Sequence, residues 1–205
     1  MTKPRDLATL GGGFTQSGTG AIQRTVESKL KDTVSVKDFG AVGDGVANDT
    51  AAFIAAHTAL PSTGGTIIVP SAAGYLITSS IVCTKPVLWQ IGACTITANL
   101  TGYLFNIQAN SSGIEGTART ILKAGTGCTA LIYNNQTLST HYWNLKLDLN
   151  NVANCVGIYH DGGWYVSVKN IWENIATQVA SSYTLRIYSS YTGVPGPTGS
   201  YGGVY

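Results

Sequence analysis

From Ala21 to Asp32, Ile22, Val26 and Leu30 recur at every fourth position, with Gln23, Arg24, Glu27, Lys29 and Lys31 filling the other sides. A stripe this narrow predicts an amphipathic helix of about three turns. Such a helix is marginal alone, so its stripe is expected to rest on a partner chain or on the domain that follows. A second helix is predicted from Thr50 to Ala59. Asp49 stands ready to accept from the free N–H groups of its first turn, and Pro61 with Gly64 and Gly65 stops it. Phe53, Ile54 and Leu60 give that helix a face to bury. Residues 1–20 are polar and glycine-rich and read as a flexible arm.

Beyond Gly65 the helical pattern gives way to short β-type runs separated by Gly, Asn, Ser and Thr turns. These runs recur. Taking Leu76, Leu104, Ile132, Ile158 and Ile187 as equivalents gives steps of 28, 28, 26 and 29. A second set, anchored on Gly92, Gly116, Asn144 and Asn170, steps by 24, 28 and 26. Propeller blades need about 40–45 residues, and a leucine-rich repeat would show its Leu/Asn ladder. Strand–turn–strand content at this period fits one coil of a parallel β-helix. The fold class is therefore all-β: a right-handed, single-stranded parallel β-helix, with an N-terminal arm, a short amphipathic helix and a capping helix. Stacked coils lie about 4.8 Å apart, so five of them make a rod of about 24 Å. An open solenoid end is an unpaired strand edge. The helix at residues 50–59 is placed to plug the first end. The loop around Gly193–Gly199 and a new strand at Gly203–Tyr205 leave the pattern running on, so a longer native polypeptide is expected.

Composition explains how such a chain stays in water. Only 11% of its 205 residues are charged, against about 25% in ordinary soluble domains. Residues 1–50 hold six of the ten acids and six of the twelve bases. A solenoid can turn Thr, Ser and Asn outward in place of charge, and the chain has 25 Thr and 25 Gly. A net charge of +2 without a basic cluster argues against nucleic acid as a partner, and no apolar run reaches the roughly 18 residues of a membrane span. Cys83, Cys94, Cys128 and Cys155 lie far apart with no C-x-x-C pair and read as buried free thiols. With no apolar signal core behind Met1, synthesis in a reducing cytoplasm is expected.

One segment carries a resemblance. Residues 34–50 read VSVKDFGAVGDGVANDT, followed by Ala51 and Ala52, then GGTIIVP at 64–70 and GYLI at 74–77. Physically, Gly40, Gly43 and Gly45 permit positive φ in consecutive tight turns. Asp38, Asp44 and Asp49 can cap those turns and the helix. A phosphate loop or calcium site would need the Walker pattern or a carboxylate-rich loop, and both are missing. The run resembles the opening segment of the pectate-lyase-like β-helix superfamily. The lead-in from Ala21 to Leu30 is similar to the junction in bacteriophage tailspikes and capsule depolymerases. Asn48 departs from the second Asp usual there.

The resemblance implies a virion-anchoring arm and short helix at 1–33 and the opening coils of a β-helix at 34–205. It implies a homotrimer, docking on phage tail or baseplate proteins through the N-terminal segment, and recognition of bacterial surface polysaccharide. Location on the virion after assembly in the host cytoplasm follows, with no membrane insertion. The alternative is a polysaccharide-degrading enzyme, a lyase or glycosidase of the same superfamily. Hydrolysis needs two carboxylates about 5–9.5 Å apart, and elimination needs a base with a cation to stabilise the enolate. Only Glu115, Asp148, Asp161 and Glu173 are acidic after residue 50, and no catalytic pair, metal or cofactor is predicted from them. Alternation over residues 143–150 turns Trp143, Leu145, Leu147 and Leu149 inward and Asn144, Lys146, Asp148 and Asn150 outward. A 26-residue step then sets Trp172 over Lys146 and Glu173 over Leu147. His57, His141 and His160 lack ligand spacing. Trp164, Tyr165 and Trp172 are the candidates for stacking on sugar rings, core or subunit packing being the competing use.

Overall fold

The computed structural model describes residues 13–26, 29, 33–173 and 183–188. Strands β1 (Gly13–Phe14) and β2 (Arg24–Thr25) form a small antiparallel hairpin. The expected helix from Ala21 is therefore corrected at its start. Arg24 and Thr25 pair with Phe14 and Gly13, and of the later residues Val26 and Lys29 are helical. Ile22, the first residue of the apolar stripe that a helix would have buried, is 80% exposed.

From Val34 onward the chain winds as a parallel β-solenoid of about five turns, with three faces. The first coil comprises β3 (Val34–Ser35), a 3-10 turn at Val36–Phe39, β4 (Asp44–Asn48) and helix α1 (Thr50–Ala59). The second holds β5 (Gly65–Val69), β6 (Gly74–Ile77) and β7 (Ile81–Cys83); the third, β8 (Val87–Ile91), β9 (Thr95–Ala98) and β10 (Gly102–Ile107). The fourth holds β11 (Gly113–Glu115), β12 (Ile121–Ala124) and β13 (Cys128–Asn135). In the fifth, β14 (Leu138–Asp148) bends to serve two faces and is followed by β15 (Val156–Asp161). Strands β16 (Trp164–Glu173) and β17 (Tyr183–Tyr188) stack on these. Every pairing from β3 on is parallel to the equivalent strand one coil away.

Inward side chains stack in files along the axis. On the first face Ile67, Trp89, Ile114 and Tyr142 are in register and fully buried. On the second, Tyr75, Ile96, Leu122 and Leu147 form the file; on the third, Ile81, Phe105, Ile132 and Ile158. Each large apolar side chain so buried contributes about 1.5–3 kcal/mol relative to exposure. The outward positions carry the polar complement, as in β9, where Thr95 and Thr97 alternate with buried Ile96 and Ala98.

The register corrects several anchors. Leu76 lies on the second face, whereas Leu104 and Ile132 belong to the third; Phe105, one residue after Leu104, is the partner of Ile132. Leu185, two residues before Ile187, is the backbone partner of Ile158. A shared period survives these slips because each coil carries three apolar strands of similar look.

The opening segment is built from turns. Gly40, Gly43 and Gly45 have φ of 90°, 70° and 80°. Asp38 accepts from Ser35 N–H, and Asp44 accepts from the N–H groups of Val46 and Ala47, which hold its carboxyl below the usual range. Asp49 corrects its assigned role. Its carboxylate is buried and makes no capping hydrogen bond to the first turn of the helix. It accepts instead from Val42 N–H (2.6 Å) and Gly43 N–H (3.2 Å), tying the glycine loop to the start of α1. Asn48 takes the capping contact, accepting from Thr50 N–H at 3.1 Å. Helix α1 inserts Phe53 at the first end of the core, against Tyr75 (5.4 Å between ring centroids) and Trp89 (5.8 Å). Leu60 is buried with it, while Ile54, expected inside, is 42% exposed.

All four cysteines are buried and free. Burial pushes the Cys83 thiol up to about 12 and that of Cys94 up to about 11. The loop at 193–199 and the strand expected at 203–205 lie outside the described residues.

Candidate functional site

The outer surface of β14 and β16 carries a group of polar and aromatic side chains on either side of a corner. Its geometry begins with the backbone. Asn144 and Asn170 have φ of 57° and 50°, the left-handed region that asparagine tolerates better than most residues. They stack one coil apart, with Asn170 Nδ2 donating to Asn144 Oδ1 at 3.0 Å. At this corner each strand turns from the first face to the second.

The turn resets the inside–outside alternation. Thr140 and Tyr142 point inward before it, and Leu145, Leu147 and Leu149 after it. Trp143, expected inward with the leucines, is instead half-buried on the outer side. Its ring lies 4.4 Å from that of His141, and its indole N–H donates to Ser167 Oγ at 3.1 Å. Lys169, its neighbour one coil on, places its ammonium 4.9 Å from the ring centre. His141 folds back over Gly113. A Cβ there would fall 2.2 Å from the imidazole, so glycine opens the space for the ring. His141 Nε2 thus comes to 3.2 Å from Glu115 Oε1, without hydrogen-bond alignment, and the contact becomes an ion pair only when the imidazole is protonated.

Past the corner, Lys146 is in register with Trp172 and Leu147 with Glu173, as the 26-residue step predicted. Trp172 is 46% exposed. Trp164 and Tyr165 sit at the other end of β16, Trp164 beside Leu138, and are 59% and 81% exposed. The three aromatics named from sequence therefore do not converge. Trp172 joins the corner with Trp143, whereas Trp164 and Tyr165 stand apart.

Sequence reasoning missed Trp143, His141, Glu115 and Lys169 as neighbours. The signal that could have found them is the pair of asparagines on the 26-residue step: a left-handed corner there inverts the alternation on one side only.

A second aromatic cluster covers the third face. Tyr103 and Tyr133 stack at 4.1 Å, Tyr159 meets Tyr133 edge-on at 5.2 Å, and the Arg186 guanidinium lies 5.8 Å from the Tyr159 ring. Tyr133 donates to Asp161 Oδ2 at 3.2 Å. Burial, with the Asp161 charge beside it, pushes the Tyr133 phenol up to about 12. These rings are engaged with one another and brace the coils laterally.

No cluster of three or more metal-ligating side chains occurs among the described residues. No described helix is long and apolar enough to cross a membrane.

The fold and this surface define a three-faced parallel β-solenoid with an outward aromatic and amide corner on its later coils. Among solved structures the chain is similar to ORF18 of Geobacillus virus E2, with a TM-score of 0.56 and 19% identity. That likeness, one of fold, covers 84% of this chain and 39% of the viral one, so the chain spans well under half of that protein's length. No family model and no curated protein sequence matches.

Proposed function

We propose that this chain is the anchor and opening solenoid of a bacteriophage tail protein that recognises bacterial surface polysaccharide, with the β14–β16 corner as a glycan-contacting surface. One observation carries the reading: Trp143 and Trp172 stand outward on successive coils on either side of the Asn144–Asn170 amide pair. Indole rings cover the apolar faces of sugars, and side-chain amides both donate to and accept from hydroxyls. The fold shared with a phage protein supports the virion setting. Docking through the N-terminal segment and assembly as a homotrimer belong to the same proposal. Trp164 and Tyr165 would extend the contact along β16.

The test is binding of the purified protein to host capsule and lipopolysaccharide fractions. Trp143→Ala and Trp172→Ala are each expected to weaken binding, since base- or sugar-sized stacking on an indole rests on its buried ring area. A melting curve for each variant separates lost contact from lost fold. Full binding by both folded variants would remove the corner from the reading. Light scattering tests the trimer; a monomer at every concentration would contradict it.

A further inference from the structure

We propose that Cys128 and Cys155 are a dithiol that hydrogen peroxide oxidises to a disulfide, clasping the fourth coil to the fifth. The proposal is independent of the glycan reading.

The fold brings the two cysteines together from either side of β14. Cys128 opens β13, and Cys155 immediately precedes β15, the parallel neighbour of β13 one coil on. Cys128 Sγ lies 3.4 Å from Ala130 O, and Cys155 Sγ lies 3.9 Å from Val156 O. Ala130 and Val156 are themselves register partners, so the two sulfurs sit against matching carbonyls on adjacent coils. They also meet each other, with Cys128 S–H donating to the Cys155 sulfur. Neighbouring strands stand about 4.8 Å apart, within the roughly 4.4–6.8 Å between Cα atoms that a disulfide spans. The hydrogen bond between the thiols lowers the Cys155 pKa from its ordinary value and raises that of Cys128. Cys155 is thus the sulfur that ionises first and attacks.

Cys83 and Cys94 provide the contrast. The Trp89 indole N–H donates to Cys83 Sγ at 3.4 Å, and burial pushes both thiols up, which makes them poor nucleophiles. Cys128 and Cys155 are buried too, but each directly follows an exposed pair of turn residues, Thr126 and Gly127 in one coil, Ala153 and Asn154 in the next. Peroxide is little larger than water, and a local opening of either turn admits it.

The chemistry balances with peroxide as the two-electron oxidant. The Cys155 thiolate attacks one peroxide oxygen, an S–O bond forms, the O–O bond breaks, and the departing hydroxide takes up a proton as water. The sulfenic acid so formed condenses with the thiol beside it. Cys128 sulfur attacks Cys155 sulfur, the S–S bond replaces the S–O bond, and the second oxygen leaves as water with the Cys128 proton.

The test treats the reduced, folded chain with hydrogen peroxide, quenches with catalase and unfolds it directly into iodoacetamide. Peptide mapping by mass is expected to find Cys128 joined to Cys155, lighter by two hydrogens, with Cys83 and Cys94 alkylated. Loss of the paired thiols is expected to run about tenfold or more ahead of the other two, and dithiothreitol to restore them. The oxidised protein is expected to melt higher, because a bond that closes a full coil constrains the unfolded chain. Cys128 and Cys155 still alkylated after prolonged treatment, oxidised only to sulfinic acids, or joined to other chains would overturn the proposal. In folded Cys128→Ser the sulfenic acid of Cys155 has no partner and is expected as a dimedone adduct; its absence would overturn the assigned order of attack. The mapping uses the wild-type chain, so it decides the matter even where that variant does not fold.

Discussion

His160 is an imidazole on the inner side of β15, 2% exposed, with neither ring nitrogen hydrogen-bonded. Its register partner one coil earlier is Asn134, whose amide is already committed to Thr137, Thr140 and Tyr142. Burial lowers the His160 pKa from its ordinary 6.5, with the neighbouring Asp161 charge opposing this more weakly. The unfolded chain therefore takes up the proton more readily than the folded one. Stability is full above the ordinary value and declines as pH falls below it. His57, lowered mainly by burial as well, adds to the same decline. His160→Leu is expected to flatten the dependence between about pH 7 and pH 5 without abolishing it, measured by denaturant midpoints across that range. An unchanged slope would show that His160 is not the group responsible. Neither the burial of His160 nor the outward turn of Trp143 was legible from residue type. The turn of Trp143 depends on where the corner asparagines interrupt the alternation, and an isolated asparagine in a strand looks like any other polar outward position.

At the scale of elements, the two predicted helices fared differently for a physical reason. Residues 50–59 form α1 because Asn48 caps Thr50, Asp49 ties the preceding loop, and Phe53 has an aromatic pocket to fill. The stretch from Ala21 had the cleaner apolar stripe, but β1 lies within reach of Arg24 and Thr25, and pairing with it fixes them as strand. Periodicity alone cannot rank a short helix against a local hairpin. In the opening turns, by contrast, Gly40, Gly43 and Gly45 were legible because each answers a backbone need that few other residues meet. The weight on α1 can be measured. Phe53→Ala empties the site between Tyr75 and Trp89 and is expected to cost roughly 3–5 kcal/mol. A loss under about 1 kcal/mol in equilibrium unfolding would mean that the helix rests on the solenoid without sealing it.

At the scale of the whole molecule, low charge after residue 50 goes with a repeat of about 26 residues, and in the described coils apolar files lie inside with Thr, Ser and Asn outside. The period was legible because every coil repeats it; the assignment of strands to faces was not, because three similar strands compete for each anchor. Such a stack is held by contacts between successive coils, so its stability need not be uniform along the axis. The strands from β8 to β13 are each paired on both sides and carry much of the fully buried files. In β16 every residue is half-buried or exposed, and its described pairing is to β14 alone. Amide hydrogen exchange is therefore expected to be slowest in β8 to β13 and markedly faster along β16, with β14 between them. Binding of a glycan at the corner would slow exchange selectively in β14 and β16, since a ligand that binds only the folded state stabilises the coils it touches. Uniform exchange from β5 to β16 would instead indicate a single cooperative unit, and protection confined to the first coils would place the ligand away from the corner.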